Sequence, residues 1–291
     1  MPIARFQSLA PELQRIVSDE PIDLARAALV IAKIEYPELD PAPSLDRLRQ
    51  IGAAAADAVA PLTREGAPAS MRLASISQEL FDRRGFAGNR AHYDDFRNSF
   101  LNVVLERRLG IPITLALVYI EVARRAGVEV HGVSFPGHFL LRGPVSESDA
   151  EPLILDPFEG GRPLNESARR SLLARMAGED AAYSPELLEP CTPRQMLTRM
   201  LNNLKRTYVE LRSFPQAYAA TSLILTVDPT LLSELRDRGL LAYHLDDYPS
   251  ALRDLEDFVK LQAWTDEEDR DERDEIWSHI KNLRRRVAGM N

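Results

Sequence analysis

The stretch GIPITLALVYIEVARRAG, residues 110–127, decides how the rest of the chain can be organised. It reads as one helix with both ends marked. Pro112 suits the first helical position, where its missing N–H leaves no bond unmade. Gly127 suits the position just past the last turn. Between them Leu115, Leu117, Val118, Ile120 and Val122 leave no continuous polar stripe, and a helix apolar nearly all round is buried. Other elements must therefore surround it.

Downstream the pattern changes period. Residues 128–134, 138–142 and 152–155 are short β-like runs, separated by Pro136-Gly137 and by an acidic loop. A buried helix followed by antiparallel strands predicts an α+β core. Within it, VSFPGHFLLR (residues 133–142) puts His138 directly after a Pro-Gly turn, and Asp156 directly follows the third run in LILDPF. If those runs pair, imidazole and carboxylate come side by side. Two readings stay open. Asp156 fixes the tautomer of His138, as in the base-and-orienter half of a catalytic triad. Alternatively it caps the Asp156-Pro157 turn, and His138 completes a satisfied polar pair.

Upstream, residues 1 to about 95 read as helices. One spans Ile22 to Ile34, a second Leu45 to Val59 with Pro61 as its stop, and a third Met71 to Phe81. The last hundred residues are helical again, and they repeat. Phe214-Pro215 falls on Tyr248-Pro249, Leu211 on Leu245, Ala217 on Ala251 and Leu225 on Val259. The offset, 249 − 215 = 34, is the period of a tetratricopeptide repeat. Arg270 to Val287 follows as a capping helix, and the acidic run 266–269 is its solvated start. A Pro-rich segment from Pro185 to Pro193 is the expected boundary. It divides a core domain, 1–190, whose helical N-terminal segment is 1–95, from an all-α repeat region, 194–291.

Composition narrows the classes. The chain carries 36 Lys+Arg against 44 Asp+Glu, net −8, so nucleic-acid binding would need a local basic patch. The short basic pairs (83–84, 107–108, 124–125, 169–170) and the tail 284–286 read as solvated helix faces. A single cysteine, Cys191, excludes an intrachain disulfide and a Cys-rich zinc site. No apolar run reaches the length of a membrane span, and the N-terminus has no secretory h-region, so a cytoplasmic location is expected. No metal, cofactor, membrane or nucleic-acid partner is expected.

The order of a glycine-led buried helix, a strand, His138 and Asp156 resembles the transglutaminase-like, papain-related core. There Gly-x-Cys-x-x-x-Ala opens the helix, and Cys, His and Asp form the triad. Laid on this chain, Gly110 and Ala116 match, His138 and Asp156 take the His and Asp places, and the Cys place falls on Pro112. More closely, GIPITLALVYIEVARRAG, PGHFLLR, LDPFEGG and the repeat segment resemble the bacterial SirB-type family, a transglutaminase-like domain followed by tetratricopeptide-like repeats. The resemblance implies that architecture over most of the chain, and a nucleophile position that is degenerate at Pro112.

Substitutes for the nucleophile are weak. Thr114 lies two residues on, about 200° around the helix, and suits a cap better than an attacking hydroxyl. Cys191 sits in the Pro-flanked linker with nothing to bring it to His138, and His131 has no third partner for a metal. Asn98 and Asn102, at i and i+4 on the preceding helix, are pocket candidates. The expected function is a degenerate, non-catalytic core that serves as a protein-binding or regulatory module. Its protein or peptide partner is taken by the repeats. The alternative is a hydrolase or acyl transferase in which His138, oriented by Asp156, is a general base without a covalent intermediate.

Overall fold

A computed structural model of the chain describes residues 4–145, 152–262 and 269–289. The acidic residues 147–151 and 266–268 lie outside them. By contacts the chain forms two units: Pro21–Ala32 with Glu38–Met200, and Met1–Glu20 with Lys33–Pro37 and Leu201–Asn291.

The first unit is built around the helix at Pro112–Arg125, α6. Before it come α2 (Leu24–Ala32), α3 (Ala42–Arg64), α4 (Ala69–Ser77) and α5 (Leu101–Arg107), and α6 packs against all four. Leu115, Ala116, Leu117, Val118, Tyr119, Val122 and Ala123 are each at most 1% exposed, which is why this helix could afford no polar face. Each large apolar side chain so buried contributes about 1.5–3 kcal/mol, an upper bound because the unfolded chain is itself partly compact. The helix ends as its sequence requires. Gly127 has φ +70°, its N–H donates to Arg124 O, and Val128 N–H donates to Ala123 O. Those two bonds are a Schellman closure, and they satisfy carbonyls that a helix end otherwise leaves open.

Four short strands follow: β3 (His131–Val133), β4 (Leu140–Arg142), β5 (Ile154–Asp156) and β6 (Arg162–Pro163). They form one antiparallel sheet in chain order. Two-residue strands β1 (Ala87–Gly88) and β2 (Leu109–Gly110) pair in parallel elsewhere. Val133, Leu140 and Ile154 line one face of the larger sheet and pack on Leu172 and Leu173 of α7 (Glu166–Ala177) and on Leu188. The α+β expectation holds. β6 was not foreseen, because two residues with a proline carry no period.

Three local readings need correction. Pro61 does not stop α3; the helix runs one more turn to Arg64. Proline removes a single N–H, and the carbonyl it orphans, on Asp57, lies at an exposed position that water can serve. Asn98 and Asn102 are not on one helix. Asn98 belongs to a 3-10 turn at Phe96–Ser99, and extended Phe100 separates it from α5. Arg169 is not a solvated base but is 6% exposed.

The second unit is all helical. It comprises α1 (Leu9–Ser18), the later turns of α8 (Pro193–Glu210), α9 (Phe214–Val227), α10 (Leu232–His244), α11 (Tyr248–Leu261) and α12 (Asp269–Ala288). Neighbours in sequence pack as hairpins, and α1 packs on α9. Ala242, Ala251, Leu255, Phe258, Ile276, Ile280 and Leu283 form a core of this unit. The repeat extends to hydrogen bonds. Arg212 N–H donates to Val209 O and Ser213 N–H to Tyr208 O, while Asp246 N–H donates to Tyr243 O and Asp247 N–H to Ala242 O. The contacts part inside α8, at Met200 and Leu201, whereas the sequence reading placed its boundary at 190–194. They also assign α1 to the repeat side, through Leu9, Leu13 and Val17 on its buried stripe.

Candidate functional site

The segment before β4 is a tight turn. His138 N–H donates to Phe135 O, Pro136 takes the second position, and Gly137 has φ +63°. That is the pattern of a type II turn, whose third residue must adopt a conformation only glycine takes without strain. The turn delivers His138 to the head of β4. Register completes the placement: Leu141 opposes Leu155, so Asp156 stands opposite Leu140, two residues from His138.

There the two side chains meet. His138 Nε2 lies 3.0 Å from Asp156 Oδ1 and 3.1 Å from Oδ2, with His138 6% and Asp156 3% exposed. Oδ1 also accepts the backbone N–H groups of Phe158 (2.9 Å) and Glu159 (3.3 Å). A carboxylate taking three bonds can only accept, so the ring donates through Nε2. Nδ1 has no hydrogen-bond partner among the described residues. Asp156 therefore does both things that the sequence left open: it caps the local turn and fixes the imidazole.

Aromatic groups flank the ring. Phe158 meets His138 edge to face with centroids 6.2 Å apart, and Tyr93 meets Phe158 in the same way at 5.7 Å. The Arg90 guanidinium lies 5.5 Å from the Phe158 centroid and pairs with Glu159. Asn89 and Asn98 pin the loop that carries Tyr93. Asn89 Nδ2 donates to Asn98 Oδ1, while Asn98 Nδ2 donates to the carbonyls of His92 and Tyr93. Sequence reasoning named Asn98 and read Phe158-Glu159-Gly160-Gly161 as a loop beside Asp156, suiting a pocket lid or a plain turn. It missed Asn89 and Tyr93, since loop residues far apart in the chain carry no periodic signal.

The N-terminus of α6 is closed to nucleophilic chemistry. Pro112 is the first helical residue and is buried, and Ile113 follows. Thr114, 1% exposed, donates its hydroxyl proton to Asn98 O at 2.7 Å and accepts from Ile111 N–H at 3.2 Å. It is placed as a cap. Asn102 does not join Asn98; its Oδ1 is buried without a hydrogen-bond partner among the described residues.

Cys191 and His131 make no hydrogen bond to His138 or Asp156 among the described residues. The Cys191 N–H donates to Gly132 O, and burial pushes the thiol up to about 11, against the pull of Arg199. Such a thiol is inert at neutral pH. His131 pairs with Glu129 at 3.0 Å on the exposed side of β3. Among the described residues no group of three or more His, Cys, Asp or Glu side chains gathers as a metal site would require. No described helix is long and apolar enough to cross a membrane.

Comparison with known proteins matches this division of the chain. Residues 44–202 match the transglutaminase-like superfamily, and residues 204–281 match a tetratricopeptide repeat. A UPF0162 protein of Xylella fastidiosa is 40% identical over 252 residues, 86% of this chain and 87% of that protein. A UPF0162 protein of Pseudomonas aeruginosa is 32% identical over 82% of this chain and 85% of its own length. Human F-box only protein 21 is 29% identical over 62% of this chain, which spans only 29% of that protein. No solved structure matches. With a transglutaminase-like core, a repeat region after it and relatives aligned over most of their length, the chain belongs to the UPF0162 family.

Proposed function

We propose that the chain is a protein-binding or regulatory module whose transglutaminase-like core has lost covalent catalysis. One observation carries this reading. At the start of α6, where the superfamily places its cysteine, the chain has buried Pro112, then Ile113, then a Thr114 whose hydroxyl proton is already given to Asn98 O. Proline has no nucleophile, and a hydroxyl engaged in this way is not activated by His138. The tetratricopeptide match supplies the complementary half, since such repeats generally take protein or peptide partners.

The test is turnover of a panel of peptide amides, esters and thioesters by wild type and His138→Ala. The expected result is no turnover by either, with a stoichiometric protein partner retained by both. Turnover by wild type that His138→Ala abolishes would defeat this reading and establish His138 as a general base acting on water or a substrate hydroxyl.

A further inference from the structure

We infer that Arg199, on α8, is a positioning residue for His138, so that the His–Asp couple is set from a third element as well as from its own two strands. The inference rests on the observed His138–Asp156 contact, whatever that pair does, and it adds the residue that orients it.

The geometry is a fork. Arg199 Nη2 donates to the His138 carbonyl at 2.6 Å, and Nη1 donates to Ser134 Oγ, also at 2.6 Å. Ser134 and His138 are the two ends of the segment that holds the Pro136-Gly137 turn, so one guanidinium spans the whole turn. Its cation also lies 5.6 Å from the Phe139 ring centroid. His138 is thus anchored at three atoms. Its N–H is bonded to Phe135 O, its carbonyl to Arg199 and its Nε2 to Asp156. The first bond sets the turn and the third sets the ring tautomer. The second fixes the His138–Phe139 peptide plane, which meets the ring-bearing Cβ at the His138 Cα.

The residue type fits the task. Arginine presents several N–H groups in a rigid plane and can reach two acceptors at once, whereas lysine offers one point charge on a flexible stem. The bond to the His138 carbonyl is part-buried, so removing its donor leaves that oxygen incompletely served by water. Arg199 also lies inside both definitions of the core, three residues before the end of the superfamily match at 202 and one before the contacts divide. The Pro-rich segment 185–193 therefore falls inside the functional core, and a boundary drawn there would sever Arg199 from the histidine it orients.

The experiment is nitrogen-15 NMR of the His138 ring in the full-length protein, with histidine labelled and His138→Ala used for assignment. Wild type is expected to show the Nε2-protonated tautomer with a slowly exchanging Nε2–H. Arg199→Met keeps the apolar stem and removes every donor. It is expected to mix the tautomers and to speed Nε2–H exchange about tenfold, the size of one lost hydrogen bond to a charged group. Arg199→Lys, which restores one donor, should recover part of that protection. A folded Arg199→Met protein with His138 ring shifts and exchange unchanged would overturn the inference and leave the His–Asp pair standing. If Arg199→Met does not fold, Arg199→Lys decides, because ring shifts and exchange identical to wild type with half of the fork gone would equally overturn it. A wild-type ring that already averages both tautomers would instead remove the pair, and the inference with it.

Discussion

Arg212 and Asp246 hold the same left-handed backbone conformation, with φ of 55° and 58°, at equivalent turns of two successive helical hairpins. Each is followed by the N-cap residue of the next helix, Ser213 or Asp247, of which Asp247 accepts Ser250 N–H, and then by an aromatic-proline pair, Phe214-Pro215 or Tyr248-Pro249. Neither residue is glycine, so each turn is held by its context against a local preference of about 1–2 kcal/mol. Both are exposed, but the Asp246 carboxylate accepts the Tyr248 hydroxyl proton, which makes Arg212 the cleaner probe. Arg212→Val is predicted to melt lower than Arg212→Gly, by a stability difference of about 1–2 kcal/mol in chemical denaturation. Equal stability of the two variants would mean the repeat turn does not require this conformation.

Thr114 makes a second prediction, at the start of the buried helix. Thr114→Val preserves shape and deletes a hydroxyl that serves Asn98 O and Ile111 N–H, both buried. The loss is predicted at about 1–3 kcal/mol in urea unfolding, the cost of leaving buried partners unpaired. Thr114→Ser should recover most of it. A harmless Thr114→Val would show that the hydroxyl is not a structural cap.

Pro112 offers a test of the proposed nucleophile position. In a Cys191→Ser background, Pro112→Cys places a thiol at the first position of α6. A helix N-terminus lowers a thiol's pKa and burial raises it, so this cysteine is predicted to react with iodoacetamide at pH 7 faster than in the denatured chain only if His138 stands beside the first position of α6. His138→Ala should remove much of that gain. Reaction no faster than in the denatured chain would argue that Pro112 does not occupy the nucleophile position.

Asp95 gives the pH dependence. It caps the 3-10 turn before α5, and the Arg97 side chain, helped by Arg107, holds its carboxyl down to about 2. The folded state thus binds this proton more weakly than the unfolded chain. The stability it contributes is present above the ordinary carboxylate range near 4 and is lost as pH falls through about 2. The stability gap between wild type and Asp95→Asn should therefore be largest near neutral pH and shrink between pH 4 and 2. A gap that stays constant over that interval would exclude the ion pair as its source.

How much of this was written locally follows from where each signal sits. The ends of α6 were legible because Pro112 and Gly127 act through their own backbone restrictions. The repeat was legible because two copies of one turn leave the same residues at a fixed offset. The meeting of His138 and Asp156 followed from strand order. The rest of the site was not legible, for a physical reason. Arg199 reaches His138 from a distant helix and Tyr93 reaches Phe158 from a loop, and no period or short motif records such contacts. Pro61 misled because a proline is tolerated near an exposed helix end, which sequence alone cannot distinguish from a stop. Asn98 and Asn102 misled because their spacing suits a helix that Phe100 interrupts.

The pairing of α1 with α9 also sets an order of events at the ribosome. Apart from the Glu12–Lys33 ion pair, residues 9–18 pack on 214–227, so this helix belongs to a unit completed about two hundred residues later. At about 5–20 residues per second, its apolar stripe of Leu9, Leu13 and Val17 waits roughly ten to forty seconds for a surface to cover it. Meanwhile the segment from Glu38 to Met200 has emerged and can fold around α6. The nascent chain thus carries an uncovered amphipathic helix for most of its synthesis, and that interval is when it is most exposed to chaperones, proteases and misassociation.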